Sequence, residues 1–235
     1  MLTGIVVALP EETSTLTANK MTKGDWFFIS DTILLICAGA GPENASLATE
    51  KLISQGAKCL ISWGCAAALN NTLRPGDIII TNTLIDTEFT RFEVKTSWAE
   101  KTLSALQDAL VVHNGLLAES KAIVSSSVHK QQLHANTGAD ILDMESVAVA
   151  KVAQQHNLPF LAIRAVADPA TMTLPTAVSS SLDANGQVRI TKILLFLLLH
   201  PTELPELLKL GWYFSIAKKN LKQVANHLTT IANIE

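Results

Sequence analysis

Arginine is scarce in this chain: Arg74, Arg91, Arg164 and Arg189 are the whole complement in 235 residues. With a net charge of −3 and no basic stripe, that scarcity argues against a nucleic-acid binder held by phosphate contacts. Cysteine is equally sparse. Cys37, Cys59 and Cys65 form no CxxC pair, so neither a zinc site nor a disulfide framework is signalled. The six histidines contain no HExxH, and the chain has no GxSxG elbow, no GxGxxG and no P-loop. The apolar run "ILLFLLL" (193–199) is too short to span a bilayer and is stopped by Pro201. The opening "MLTGIVVALPEE" lacks a basic n-region and a cleavage site, so the cytoplasm is the expected compartment.

What remains is a compact α/β pattern. Pro and Gly are not clustered and 48% of the residues are apolar, which speaks against disorder and fibrous repeats. Short Val- and Ile-rich runs alternate with segments of helical period. The runs 4–9, 33–41, 59–69, 77–85, 122–127 and 160–168 read as strands; 42–55, 97–110, 145–156 and the region from about 203 read as helices. The segment 183–190 reads as a turn or surface loop. No linker divides the chain, so one domain over 1–235 is expected, with a hydrophobic C-terminal extension from about 190.

Acidic residues stand at three strand ends. In "DMESVAVAKVAQQH", positions 145, 148, 149, 152 and 153 share one helical face, so Glu145 joins Ala148, Val149, Val152 and Ala153 on the buried stripe. Asp143 is explained by N-capping. For Glu145 a ligand-binding role competes with simple complementation of the helix dipole. Asp168 ends "FLAIRAVAD" at the carboxyl edge of a strand, where α/β sheets bind ligands, although Asp-Pro is also a common turn. Glu11 and Glu12 follow the first strand; one of them can reach the same crevice, or both are surface acids. "AGAGPENA" (38–45) is a glycine turn into a helix, which exposes amide donors to a ligand. His129 and His134 read as loop or surface histidines that could line a pocket.

Taken in order, "GIVVALPEE", "ISWGCAAALNNTLRPGDIII", "DMES" and "PFLAIRAVAD" resemble the nucleoside phosphorylase and nucleosidase superfamily over most of residues 4–168. Within it, "LHANTGADILDMESVAVA" and "RAVADPATMTLP" are similar to the hopanoid-associated phosphorylase-like proteins, implicated in removing adenine from adenosylhopane. The resemblance implies a three-layer αβα fold with a central mixed sheet, no metal and no cofactor. It implies catalytic roles for Asp168, as the acid protonating the purine, and for Glu12, as the base activating water. It assigns Glu145 to the ribose hydroxyls, with Met144 beside the sugar and Gly39, Gly41, Gly64, Cys65 and Ser126 along the substrate. It implies a homo-oligomer whose partner is a small nucleoside.

The same resemblance leaves water and phosphate as rival second reactants. Phosphorylases hold phosphate with arginines. Where the hexameric members carry one before the "GCAAA" turn, this chain has Ser62; Arg91 is the remaining candidate. The turn also departs from the family at Cys65, Ala67 and Ala68. Val128 and His129 stand near the expected base-stacking aromatic, and Ala167 stands where nucleosidases commonly have Ser. A noncatalytic nucleoside-binding module is the rival from another class. After Pro201, Leu, Trp, Tyr and Phe mixed with Lys209, Lys218, Lys219 and Lys222 suit a helix in a membrane interface, giving peripheral contact with the inner face of the membrane. A helix packed on its own domain or in a subunit interface is the alternative.

Overall fold

A computed structural model describes residues 1–179 and 200–234. In chain order the strands are β1 (Thr3–Val7), β2 (Trp26–Ser30), β3 (Ile33–Cys37), β4 (Cys59–Ala68), β5 (Ile78–Ile85), β6 (Arg91–Glu93), β7 (Val112–Glu119), β8 (Ile141–Asp143) and β9 (Phe160–Asp168). The helices are α1 (Pro10–Thr13), α2 (Pro42–Ser54), α3 (Thr96–Leu106), α4 (Ser127–Thr137), α5 (Ser146–Gln155), α6 (Thr176–Ser179), α7 (Leu204–Ala225) and α8 (Leu228–Ile231).

The strands form one mixed sheet, the α/β architecture expected from the alternation of runs. β1 lies parallel between β3 and β4, and β9 lies between β4, to which it is parallel, and β5, to which it is antiparallel. Strands β1, β3 and β9 are buried along their whole length, which is why their sequences are nearly continuous apolar runs instead of alternating ones. The last two residues of β4, Ala67 and Ala68, pair with β8, β8 pairs with β7, and β7 with β5. These pairings close β4, β9, β5, β7 and β8 into a ring.

Helices α2 and α5 pack on each other beside β1, β3 and β4, while α7 lies along β9 and β4 through Ala217, Leu221 and Val224. Two buried tryptophans show how the core meets its polar obligations. Trp63 Nε1 donates to Thr15 Oγ1 (2.9 Å), and Trp98 Nε1 donates to the Ile231 carbonyl (2.7 Å), which ties α8 to α3.

One expected strand is wrong. Residues 122–126 are an extended loop leading into α4, and the strand before it is β7, at 112–119. Its polar residues His113 and Asn114, followed by Gly115, hide it among turn-like chemistry. Strands β2, β6 and β8 and helix α4 are not among the elements expected from the sequence. The run 33–41 leaves the sheet at Cys37, because the glycine turn begins there. The segments 183–190 and 193–199 lie outside the described residues. No helix among the described residues is long and apolar enough to cross a membrane.

Candidate functional site

The first carboxylate is placed by a one-turn helix. β1 ends, Pro10 starts α1, and Glu12 turns back into the sheet, where it is 4% exposed. Its Oε1 accepts the Cys65 amide (2.7 Å) and its Oε2 the Leu9 amide (3.2 Å). Glu11, its neighbour, faces solvent. Gly64 makes this possible: a Cβ there would lie 2.8 Å from Glu12 Oε1. Burial raises the Glu12 pKa, against the opposing pull of the Cys65 amide and the Arg164 charge.

Glu145 is not on the α5 stripe. It is the residue that caps α5, with φ −123° and ψ −35°, so its side chain leaves the helix before the periodicity begins. Its Oε1 accepts the Gly41 amide at 2.8 Å. Gly39 and Gly41 hold φ of 86° and 97°, the left-handed region that favours glycine, and this turn aims the Gly41 N–H at the carboxylate. Burial, and next the nearby Asp143 charge, push Glu145 up to about 7.

Asp143, expected as a cap, does accept the Ser146 amide (3.1 Å), and more weakly that of Glu145 (3.3 Å). Its second oxygen has a larger task. Asp143 Oδ2 receives Arg164 Nε at 2.6 Å, both groups being buried. Arg164 Nη2 donates to Ser62 Oγ (2.7 Å) and Ser146 Oγ (2.8 Å), and Nη1 to the Ile163 carbonyl (3.0 Å). Four of the five N–H groups of a guanidinium are thus engaged by the protein. Arg164 is the cation facing Glu12, Asp143 and Glu145, and it reaches across to Ser62 on β4. Arg91, the other candidate, lies exposed on the short strand β6. Arg189 lies outside the described residues.

Asp168 sits past a bulge in β9. The ladder with β4 runs Ala66 to Val166 and then Ala67 to Asp168, leaving Ala167 as the extra residue. Its Oδ1 receives Lys130 Nζ at 2.6 Å, and Lys130 is 0% exposed. Burial raises Asp168 to about 6, with the Lys130 charge pulling the other way. Cys65 anchors Glu12 two residues before Ala67 on β4, so the Glu12 and Asp168 attachment points are offset by roughly 7 Å along the strand.

The remaining candidates fall around these anchors. Met144 is half-buried between Asp143 and Glu145, and Cys65 is half-buried with its amide on Glu12. Ser126 takes the capping position of α4, one turn before Lys130. A cavity of about 390 Å³ opens between the 120–125 loop and α4, lined by Ile123, Val124, Ser125, His129 and Gln132 among others. Its lining contains none of the carboxylates; it flanks the site on the α4 side. His134, expected on a loop or the surface, lies in α4 with Nδ1 on the Ala139 carbonyl (2.7 Å). No cluster of potential metal ligands exists among the described residues. Sequence reasoning missed Lys130 and the role of Arg164. A single arginine inside an all-apolar strand was the available signal for the second.

The family model for the phosphorylase superfamily matches residues 3–195. A 5′-methylthioadenosine/S-adenosylhomocysteine nucleosidase of Staphylococcus aureus is 26% identical over 195 residues, 70% of this chain and 85% of the relative. Two solved structures share the fold. A nucleosidase of the same name from S. pneumoniae, held with a transition-state inhibitor, has a TM-score of 0.64 at 22% identity, over 73% of this chain and 87% of that one. The futalosine hydrolase of Helicobacter pylori has a TM-score of 0.70 at 16% identity, over 98% and 97%.

Proposed function

We infer that this chain, which belongs to the phosphorylase superfamily, is a purine nucleosidase that breaks an N-glycosidic bond with water. The observation that carries the reading is the pair of buried carboxyl groups offset along β4, with a third, Glu145, held at the glycine turn. Glu12 and Asp168 thus reach the site from different levels of the sheet, so that one can act on water and the other on the leaving base.

The chemistry divides among the three. Asp168, protonated, gives its proton to a purine ring nitrogen as the C–N bond lengthens, so the bonding electrons leave on a neutral base. Positive charge then develops on the sugar ring, and ionised Glu145, accepting the ribose hydroxyls, stabilises it electrostatically. Glu12 takes a proton from water as its oxygen bonds to the anomeric carbon. Gly41 and Cys65 hold the two glutamates by their amides, and Met144, Gly39 and Ser126 line the substrate. Water is favoured over phosphate because Arg164 has one N–H left, whereas a bidentate phosphate contact needs two. The similarity to nucleosidases of 5′-substituted adenosines supports adenine as the base. The resemblance of "LHANTGADILDMESVAVA" and "RAVADPATMTLP" to hopanoid-associated proteins leads us to propose adenosylhopane or a related 5′-substituted adenosine as the substrate. A homo-oligomer in the cytoplasm, with α7 touching the inner face of the membrane, completes the proposal.

The test is base release from 5′-deoxyadenosyl substrates, adenosylhopane included, with and without phosphate. Phosphate-independent release, lost in Asp168→Asn and in Glu12→Gln, is expected. Release only with phosphate overturns the hydrolytic reading, and ligand bound without turnover makes the chain a binding module.

A further inference from the structure

Burying a lysine is unfavourable, and α4 buries one on a helix, "SVHKQQLHANT", that buries neither Val128 nor Leu133. Lys130 is the sole residue of α4 that is buried. Its ammonium has three N–H groups and meets three acceptors: Asp168 Oδ1 (2.6 Å), the Met172 carbonyl (2.9 Å) and the Pro169 carbonyl (3.2 Å). That set accounts for every hydrogen of a charged lysine. A buried ion pair is weak support for stability, since well-packed apolar residues serve as well, so its presence here calls for another role.

We propose that Lys130 is a positioning residue for the general acid: it fixes Asp168 by Oδ1, leaves Oδ2 to carry the proton to the departing base, and sets by its charge the pH at which that acid works. This rests on the nucleosidase reading above. Held by one oxygen, the carboxyl group cannot rotate without breaking the shortest contact Lys130 makes. The carbonyls of Pro169 and Met172 belong to the turn that follows Asp168, so the same ammonium fixes the strand end that carries the acid.

Other titratable groups nearby are committed elsewhere. On β9 and β8, Arg164 pairs with Asp143. On β4, Cys65 faces Glu12, and on α7 the Lys218 charge acts on Cys65. On α4, His129 lines the flanking cavity and His134 is tied to Ala139. Among the described residues, Lys130 is the charged group that acts on Asp168.

The deciding measurement is the carbonyl-carbon NMR titration of Asp168 in protein labelled at aspartate, compared in wild type, Lys130→Met, Lys130→Gln and Lys130→Arg. Loss of the charge in Lys130→Met is expected to raise the Asp168 midpoint by at least about one pH unit, the low end of what an opposite charge at this range imposes on a carboxylate. The pH optimum of kcat/KM should move the same way, and Lys130→Arg should restore both. If Lys130→Met does not fold, Lys130→Gln, which keeps a donor without the charge, is read in the same way. A folded, uncharged variant with an unmoved midpoint overturns the proposal. A wild type that releases no base overturns the nucleosidase reading and the acid role with it, and the titration, which needs no turnover, tells that failure apart from a failure of the Lys130 coupling.

Discussion

At Gly64 the site depends on a side chain that is not there. Both oxygens of Glu12 are held by amides, so the carboxylate cannot retreat from a methyl group placed 2.8 Å away. Gly64→Ala should therefore lower kcat/KM by about 100-fold, the scale of an ångström-sized misplacement of a catalytic group, while a thermal melt shows a folded protein. The carboxyl groups also set a pH dependence whose sign is fixed by their roles. Asp168 must be protonated, so its contribution is full at low pH and lost as pH rises through about 6. Glu145 must be ionised, so its contribution appears only as pH rises through about 7. The acid thus titrates below the ligand-binding carboxylate, and the competent form is a minority at every pH. A kcat/KM profile should be bell-shaped with breaks near 6 and 7, and Glu145→Gln should remove the break near 7 while leaving the acidic limb set by Glu12, which must also be ionised to act as base.

Elements meet at Arg164, which joins β9 to β8, β4 and the start of α5 through Asp143, Ser62 and Ser146. Arg164→Met leaves Asp143 buried without its counter-charge and should cost about 3–5 kcal/mol in urea unfolding; adding Asp143→Leu should return much of it. This junction also marks where the sequence stops being readable. The long buried strands β4, β5 and β9 and helices α2 and α5 show in apolar runs and periodicity, because burial alone dictates their composition. Glu12, Glu145 and Asp168 show as acids at strand ends. Strand β8, three residues long, is too short to carry a period, and β7 opens on His113 and Asn114. Helix α4 inverts the usual rule, since its buried position is a lysine that pairs with a residue 38 positions away. No local pattern encodes a partner at that separation, so Lys130 reads as a solvated charge until the fold brings Asp168 to it. Glu145 falls one residue outside the helix that its spacing suggests: α5 begins at Ser146, and Glu145 caps it.

Across the whole molecule, α7 is packed at one end and bare at the other. Ala217, Leu221 and Val224 are buried, whereas Leu204, Leu208 and Trp212, spaced one turn apart, are exposed by 44%, 64% and 62%. If this face makes the proposed membrane contact, the protein should sediment with anionic, hopanoid-containing vesicles. Leu208→Glu should abolish that sedimentation while changing unfolding stability by less than about 0.5 kcal/mol, as a surface substitution does. The ring of β4, β9, β5, β7 and β8 has a further consequence. Cys65, which fixes Glu12, and Asp168 stand on adjacent members of a circuit in which every strand is hydrogen-bonded on two sides. Among the described residues the strands at the two ends of the sheet, β2 and β6, are paired on one side only, and β2 turns Trp26 and Phe28 outward. Fraying therefore starts at the rim and leaves the circuit intact. In deuterium exchange the amides of β2 and β6 should label first and those of β4 and β9 last, so that the protein loosens at its margins long before the spacing between its acid and its base is disturbed.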